Sequence, residues 1–308
     1  MSQKIIIGTR GSKLALAQTE LVAARLRAIN PDFEVSISHI VTKGDRTHVP
    51  LELTGEGIFV KELEEALLEG QIDLAVHSLK DMPTQLPKGL SLAAVMERVN
   101  PADVLITKGQ KLAELPDGAR IGTASLRRSA ELIAYRPDLK VVSIRGNVDT
   151  RLGKVSKGEL DGVIVAAAGL KRLGWEDRII EYLPVEHFLP AVGQGALAIE
   201  ARSDDKETAR IVAPLNHMPT RYSITAERAF LRTLAGGCQA PIAALGTVTG
   251  GSLRLDGMVM NVTQNKILRG SESGDVSQAE EIGAKLAKRL LADGADKFLA
   301  RQSKNEDW

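Results

Sequence analysis

Cys238 is the only cysteine of this 308-residue chain, and it lies in the glycine-rich stretch LAGGCQAPIAA, residues 234–244. The thiolate of a cysteine is a strong nucleophile, and an electropositive surrounding favours its formation. Glycines beside the sulfur allow a bulky group to approach it closely. The same thiol is also compatible with a small, inert and buried side chain. From the residues alone, both interpretations stay open.

Arginines follow several predicted strands or begin the helices after them. Small residues with accessible backbone N–H groups lie nearby, a combination typical of sites that bind carboxylates or phosphates. The alternative is that these are ordinary surface residues among the 40 lysines and arginines. A cation at a helix start opposes the helix dipole, which favours a functional reason for the pair Arg127 and Arg128. The candidate arginines are Arg10, Arg127, Arg128, Arg145, Arg151 and Arg172, and the small residues are Gly8, Gly122, Thr123, Ser125 and Gly146.

The stretch AVHSLKDMPT, residues 75–84, ends a predicted strand with Lys80 and Asp81, just before Pro83. A carboxylate on a turn stiffened by proline can accept a hydrogen bond from a ligand N–H or stabilise a developing cation. A solvated turn aspartate or a cap is the competing interpretation. His77 alternates with apolar neighbours, so we predict a packed histidine rather than a base.

The composition argues against several classes of protein. The chain has a net charge of +1 and only 3% aromatic residues, so no nucleic-acid partner is expected. One cysteine excludes an internal disulfide and suits a reducing compartment. The five histidines lack metal-ligand spacing, so no metal site is predicted. We find neither a signal-peptide core in residues 1–12 nor an apolar run of ~20 residues, and we therefore expect a cytoplasmic protein without membrane contact.

Hydrophobic periodicity predicts an alternation of strands and helices at the start of the chain. Strands are predicted over 4–10, 34–42 and 72–78, and helices over 12–30 and 59–70. This order is typical of a parallel sheet with helices on its faces.

The alternation then returns without a close repeat of the sequence, and after residue 218 it changes. A helix over 223–235, three strands within 241–273 and a helix over 279–300 predict an α+β domain. Residues 189–201 are expected to cross back to the first group. The second group comprises predicted strands over 119–125, 140–145 and 161–169, with helices over 126–136 and 147–160, and residues 99–107 are expected to cross between the two groups.

The predicted fold class is therefore α/β, with two α/β domains followed by a C-terminal α+β domain. The first domain would comprise residues 1–98 with 194–217, the second 99–193 and the third 218–308. Ligands of open α/β sheets bind at the carboxyl ends of the strands, and the candidate residues above lie at such ends.

Several long stretches, in order from residue 8 to residue 242, resemble the porphobilinogen deaminase family, also called hydroxymethylbilane synthases. The 250–308 region is less distinctive but has a suitable length and pattern. The matching stretches are GTRGSKLALAQT, VTKGD, FVKELEEALL, DLAVHSLKDMP, IGTASLRRSAEL, IRGNVDTRL, AAAGLKRLG, LPAVGQGALAIE and AERAFLRTLAGGCQAPI.

The resemblance implies three domains, of which the first two are similar to type II periplasmic binding proteins. It implies a dipyrromethane cofactor, assembled from substrate and bound to Cys238 through a thioether. It further implies a transferase that joins four porphobilinogen molecules head to tail, with loss of ammonia at each step. The product would be hydroxymethylbilane, a linear precursor in tetrapyrrole synthesis for haem or chlorophyll.

The resemblance also implies roles for individual residues. Each pyrrole carries an acetate and a propionate, so a growing chain accumulates negative charge. Asp81 matches the catalytic carboxylate, which would stabilise the cation left by departing ammonia. Cofactor binding is implied for Cys238, Lys80, Asp81, Thr123, Ser125, Arg127, Arg128, Arg145 and Gly146. Substrate binding is implied for Arg10, Ser12, Arg145, Arg151, Arg172 and Gln194.

One position departs from the family's pattern. Many members carry Gly-Lys-Gly before the FVKEL helix, whereas this chain has GEGIF with Glu56 in place of the lysine. A carboxylate there puts in doubt a direct contact of this loop with an anionic chain. Lys43 or Lys61 would then compensate, or the loop would act only as a lid.

Two hypotheses from other classes make different predictions. A non-catalytic two-lobed anion-binding protein would have no use for a covalent group on Cys238. A thiol-dependent transferase with a histidine base would keep Cys238 free and alkylatable, whereas a dipyrromethane enzyme has a blocked thiol. The resemblance favours the enzyme. It is expected to be a monomer that acts on porphobilinogen and passes its product to uroporphyrinogen III synthase.

Overall fold

The computed structural model describes residues 4–41, 60–235, 240–261 and 266–300. The strands are β1 (Lys4–Thr9), β2 (Glu34–His39), β3 (Leu74–Ser78), β4 (Leu90–Val95), β5 (Asp103–Thr107), β6 (Arg120–Gly122), β7 (Lys140–Val142), β8 (Gly162–Ala166), β9 (Glu181–Tyr182), β10 (Leu197–Arg202), β11 (Ile242–Thr249), β12 (Ser252–Asn261) and β13 (Lys266–Asp275). The helices are α1 (Lys13–Ile29), α2 (Lys61–Leu68), α3 (Leu126–Tyr135), α4 (Val148–Ser156), α5 (Ala167–Arg172), α6 (Lys206–Val212), α7 (Met218–Thr233), α8 (Ala279–Ala292) and α9 (Ala295–Ala300).

The chain divides into two compact units. The first comprises Met1–Val99 with Ala196–Arg221, and the second comprises Asn100–Gly195 with Tyr222–Trp308. The second unit holds both the second α/β sheet and the C-terminal sheet. The division of the chain into three domains stays a prediction.

A five-stranded sheet forms the first unit, in the order β2-β1-β3-β10-β4. β1 pairs parallel with β2 and β3, whereas β10 runs antiparallel between β3 and β4. The sheet is therefore mixed, and the prediction of a parallel sheet holds only for β2, β1 and β3. The antiparallel strand comes from residues about 120 positions later in the chain, so the local order of elements did not reveal it.

The second α/β sheet repeats this plan. Its order is β7-β6-β8-β5-β9, with parallel pairs from β6 to its two neighbours and β5 antiparallel to both β8 and β9. In each sheet the first three strands of the spatial order run parallel. The fourth strand, β10 in the first sheet and β5 in the second, runs antiparallel between the third and the fifth. The two α/β sheets thus have the same topology.

The C-terminal part is an antiparallel sheet, β11-β12-β13, with helices against it. Phe230 of α7 and Leu286 of α8 are fully buried in one core cluster with Leu253 and Leu255 of β12. The strands alternate inward and outward residues, and the helices bury one apolar stripe. The predicted fold class, two α/β sheets followed by an α+β part, is confirmed.

Some predicted boundaries were wrong. The strand predicted over 161–169 ends at Ala166, and α5 begins at Ala167. The helix predicted over 279–300 is interrupted at Gly294, whose φ of +100° lies in the left-handed region. β4, β9 and α6 were not predicted, and β5 and β10 lie in the two segments that were predicted only to cross between the groups. No helix among the described residues has the length and apolar character needed to cross a bilayer.

Two of the small residues singled out from the sequence have a packing role. A Cβ on Gly8 would lie 2.3 Å from Ile72 Cδ1, and one on Gly122 would lie 2.6 Å from Leu160 Cδ1. Both glycines are buried within paired strands. The interpretation that they expose backbone N–H groups to an anion was wrong, because each leaves room for a core side chain instead.

Candidate functional site

The first unit brings predicted site residues to the carboxyl edge of its sheet. Arg10 directly follows β1, and Lys80 and Asp81 follow β3 in the 3₁₀ turn Leu79–Asp81. Because β1 and β3 are parallel neighbours, these side chains lie at the same edge. Asp81 is exposed, and Arg10 and Lys80 are half-buried.

Backbone and side-chain hydrogen bonds fix the turn that carries Lys80 and Asp81. The Leu79 N–H donates to the Ala196 carbonyl at 3.1 Å. On the preceding residue, Ser78 Oγ accepts from Gln18 Nε2 of α1 at 2.8 Å. Such a turn can hold a charged group in one orientation at the edge of a rigid sheet.

Ser12 lies at the same edge as the N-cap of α1, and its Oγ accepts from the Ala15 N–H at 3.2 Å. This contact satisfies one of the free N–H groups at the helix start. The predicted role of Ser12 in substrate binding stays a prediction.

The second α/β sheet carries further predicted residues at its carboxyl edge. Thr123 and Ser125 follow β6, and Ser125 caps α3. Arg145 and Gly146 follow β7, and Arg151 of α4 donates from Nε to the Gly146 carbonyl at 2.9 Å. Arg145 is exposed, so a ligand can reach its guanidinium from solvent.

Arg127 and Arg128 are buried, with exposures of 3% and 6%. Asp103 of β5 lies between them. Its Oδ1 accepts from Arg128 Nη2 at 2.6 Å, and its Oδ2 lies 2.8 Å from Arg127 Nη1. The alternative that these two are ordinary surface arginines was wrong.

Gln194 and Glu131 complete this network. Gln194 Nε2 donates to Asp103 Oδ1 at 2.8 Å, so three predicted site residues converge on one carboxylate. Arg127 Nη1 also donates to Glu131 Oε2 at 2.8 Å. Burial opposes ionisation of Asp103, but the two guanidinium charges outweigh it and hold the pKa of Asp103 well below its usual range. Burial and the charge of Asp103 raise the pKa of Glu131 to about 8.

Sequence analysis missed Asp103, although a signal was present. Asp103 is the one charged residue of the apolar strand Asp103–Thr107. Glu200 is likewise the one charged residue of the apolar stretch ALAIEA, residues 196–201. Carboxylates are rarely fully buried unless they are paired. A charge inside an apolar strand therefore predicts a buried cationic partner, and here the partner is a pair of arginines.

Arg172 at the end of α5 differs from this pair. Its Nη2 donates to the Gly195 carbonyl at 2.7 Å. Among the described residues, its buried Nε has no hydrogen-bond partner and no carboxylate forms an ion pair with it. Burial alone lowers the pKa of Arg172 to about 10. A partly buried guanidinium without a carboxylate is unfavourable unless an anion from outside the protein neutralises it.

Three predicted positions, Cys238, Glu56 and Lys43, lie outside the described residues. Lys61 begins α2, is exposed and lies 4.0 Å from Glu65. No group of three or more His, Cys, Asp or Glu side chains in the described ranges is arranged to hold a metal ion.

The first sheet thus presents Arg10 and Lys80 at its carboxyl edge, and the second presents Arg145 there. Arg172, at the end of the helix that follows β8, has no carboxylate partner within the described chain. This is the arrangement of an α/β protein that binds an anionic small molecule. Asp81, an exposed carboxylate at the same kind of edge, adds a group that can interact with a cation.

Comparison with known proteins defines the family. Residues 5–210 match the model of the porphobilinogen deaminase dipyrromethane cofactor binding domain, and residues 222–292 match that of the porphobilinogen deaminase C-terminal domain. The chain therefore belongs to the porphobilinogen deaminase family, and the resemblance inferred from its motifs is confirmed.

Relatives match nearly the whole chain. The porphobilinogen deaminase of Geotalea daltonii is 49% identical over 306 residues, covering 99% of this chain and 96% of its own. That of Syntrophotalea carbinolica is 50% identical over 302 residues, covering 97% and 96%. Among solved structures, the methionine binding protein MetQ matches with a TM-score of 0.44 at 15% identity, covering 69% of this chain and 89% of its own.

Proposed function

We propose that this chain joins four porphobilinogen molecules head to tail, with loss of ammonia, on a dipyrromethane primer held by Cys238, and releases hydroxymethylbilane. The observation that carries this proposal is Arg172, a half-buried guanidinium without a carboxylate partner in the described ranges. The acetate and propionate groups of pyrroles supply the anions that such a cation requires.

The basic residues at both sheet edges suit a primer of this kind. In the second unit, Thr123, Ser125, Arg145 and Gly146 would hold its carboxylates. For Lys80 and Asp81 of the first unit, we propose the cofactor-binding role that the resemblance implies. When bound, the primer supplies the nucleophilic pyrrole carbon to which each new unit is added. Arg10, Ser12, Arg151, Arg172 and Gln194 would bind the carboxylates of incoming substrate.

Asp81 would act on the substrate rather than on the fold. A carboxylate beside a pyrrole N–H stabilises the positive charge that develops as ammonia leaves. The same group can accept and return a proton during deamination and the final deprotonation. Its exposure and its fixed turn suit both tasks, because the charge is accessible while the backbone is held.

Arg127 and Arg128 would serve the cofactor through the positive potential of their cluster. Their hydrogen bonds are largely used within the protein, with Asp103, Glu131 and backbone carbonyls. We therefore propose that they give the carboxyl edge of the sheet its shape and a positive potential. Arg145 and Arg172 would make most of the direct contacts to ligand carboxylates.

The cofactor gives the first test. Purified active protein is expected to have a mass above that of its sequence by one covalent dipyrromethane, and the excess should map to the peptide that contains Cys238. A Cys238→Ser variant should have the mass of its own sequence, with no covalent addition. Intact-protein and peptide mass spectrometry make the measurement. An active protein with unmodified mass and a freely alkylatable Cys238 would instead favour the thiol-dependent transferase.

Arg172 gives the second test. Replacement by leucine is expected to weaken porphobilinogen binding by roughly ten- to over a hundredfold, because a charge-assisted hydrogen bond contributes ~1.5–3 kcal/mol. Thermal stability should not fall, since the variant removes a desolvated cation without a carboxylate partner in the described chain. Saturation kinetics and thermal unfolding measure the two effects.

Arg202 provides the matched control for Arg172. It pairs with Asp73 at 3.1 Å and Asp205 at 2.9 Å, away from the predicted site. Arg202→Leu should therefore lower stability and leave the affinity for porphobilinogen unchanged. The same affinity in wild type and Arg172→Leu would remove the central support for the proposed site.

Localisation, assembly and partners are the remaining parts of the proposal. We propose a cytoplasmic monomer, consistent with a single cysteine and a net charge of +1. Its linear product would pass to uroporphyrinogen III synthase. Size-exclusion chromatography with light scattering tests the monomer.

A further inference from the structure

The first unit contains a buried charged cluster that the proposed mechanism does not use. It consists of Glu64 on α2, His77 on β3 and Glu200 on β10, which are 8%, 6% and 0% exposed. His77 Nε2 lies 3.0 Å from Glu200 Oε2. One oxygen of Glu64 and one of Glu200 have no hydrogen-bond partner among the described residues. Burying such groups is unfavourable for folding.

The second α/β sheet shows what the same fold accepts at these positions. Ala75 of β3 pairs with Gly8 near the end of β1, and Val163 of β8 pairs with Gly122 at the end of β6. Two residues further along, Val165 is therefore the counterpart of His77. The position that holds an imidazole in the first sheet holds an aliphatic side chain in the second.

The neighbouring antiparallel strands give the second correspondence. Glu200 of β10 lies opposite Ala75, and Ile106 of β5 lies opposite Val163. Ile106 is thus the counterpart of Glu200, and a carboxylate in the first sheet is again replaced by an aliphatic side chain in the second.

The helices give the third correspondence. After α2, two consecutive N–H groups donate to the Ala66 carbonyl, and after α4, two consecutive N–H groups donate to the Lys154 carbonyl. Glu64 and Leu152 each lie two residues before these carbonyls and are counterparts. Leu152, Val165 and Ile106 belong to one apolar core cluster, at 5%, 4% and 6% exposure. The topology therefore accepts apolar residues at all three positions.

The charged cluster lies next to the turn that carries the proposed catalytic carboxylate. His77 precedes Asp81 by four residues on the strand that leads into the turn. On the opposite face of the same strand end, Gln18 binds Ser78. The last residues of β3 are thus held by polar contacts on both faces.

We propose that Glu64, His77 and Glu200 are positioning residues for the reaction, which fix the end of β3 and thereby the orientation of Lys80 and Asp81. This inference rests on the proposed function. The charged groups that face His77 are Glu200 from β10 and Glu64 from α2, and Glu65 of the same helix acts on Glu64 from further away. Burial and the charge of Glu200 raise the pKa of Glu64 to about 6, so the charge of the cluster changes in the range where enzymes work.

The test transfers the apolar set of the second sheet into the first. The triple variant Glu64→Leu, His77→Val and Glu200→Ile is expected to fold with equal or higher thermal stability, because an apolar set replaces a poorly satisfied buried charge cluster. The condensation rate of its cofactor-loaded form should fall by roughly ten- to a hundredfold, with KM little changed, since a misplaced group affects the reacting geometry. Glu20→Gln, an exposed change on α1, is the control and should behave as wild type.

A second variant removes the imidazole alone. His77→Gln keeps a hydrogen-bonding side chain but removes the imidazole charge that lowers the pKa of Glu64, so the pH profile of kcat should shift to higher pH. A triple variant with normal kcat, one that does not fold, or a wild-type pH profile in His77→Gln would each overturn the inference. Failure of the proposed function is distinct, because then the wild-type chain itself would not condense porphobilinogen.

Discussion

Asp81→Ala protein that carries its cofactor is expected to bind porphobilinogen normally and to condense it slower by a factor on the order of 10²–10⁴. The carboxylate would interact with charge that develops during the reaction, so its removal should lower kcat and leave KM nearly unchanged. Its turn is fixed through the Leu79 N–H and the Ala196 carbonyl, neither of which belongs to Asp81. The substitution should therefore leave the sheet intact.

Single-turnover condensation on cofactor-loaded protein is the required measurement, because a variant without cofactor would be inactive for another reason. Asp81→Glu keeps the charge but moves it by one methylene, and we expect a rate between those of wild type and Asp81→Ala. Asp32→Ala, another exposed aspartate of the first unit, should have the wild-type rate. A near-normal condensation rate for cofactor-loaded Asp81→Ala would show that Asp81 is only a residue of the turn.

Sequence periodicity predicted most of the elements that position this site. The strand that ends at Ser78 and the turn with Lys80 and Asp81 follow from a buried apolar run next to a proline. The cap at Ser125 and the helix after it follow from local preferences. These features depend on neighbours within a few residues, which is the range over which a sequence pattern carries information.

Contacts between distant parts of the chain were not predictable in this way. Ala198 of β10 pairs with His77, and Asp103 binds Arg128 across 25 residues. Nothing local distinguishes an arginine that is exposed to a ligand from one that is paired with a buried carboxylate. Both Arg145 and Arg127 were predicted from the sequence to bind the cofactor. Only the fold shows that Arg145 is exposed and Arg127 is buried.

The same fold predicts that Asp103, a residue without an expected role in catalysis, strongly stabilises the second unit. Asp103→Asn keeps the shape of the side chain but leaves two buried guanidiniums without their shared carboxylate. Breaking a buried ion pair by removing one partner lowers the free energy of unfolding by about 3–5 kcal/mol. Urea unfolding at neutral pH measures this difference.

The pH dependence of that loss identifies the carboxylate as its source. Although burial opposes it, the charges of Arg127 and Arg128 hold the pKa of Asp103 in the folded protein well below its ordinary value. Its stabilisation is therefore fully present above the unfolded pKa and is lost as pH falls toward the folded pKa. Between about pH 8 and pH 5 the difference between wild type and Asp103→Asn should grow as pH falls, because burial and the charge of Asp103 raise the pKa of Glu131, and wild type, which keeps that charge, gains more from its protonation. Below about pH 5 the difference should shrink as the unfolded state protonates Asp103. Asp256→Asn, which removes the exposed partner of Arg254 in the same unit, should cause a much smaller loss. Equal losses for the two variants would show that the buried network contributes no more than a surface pair.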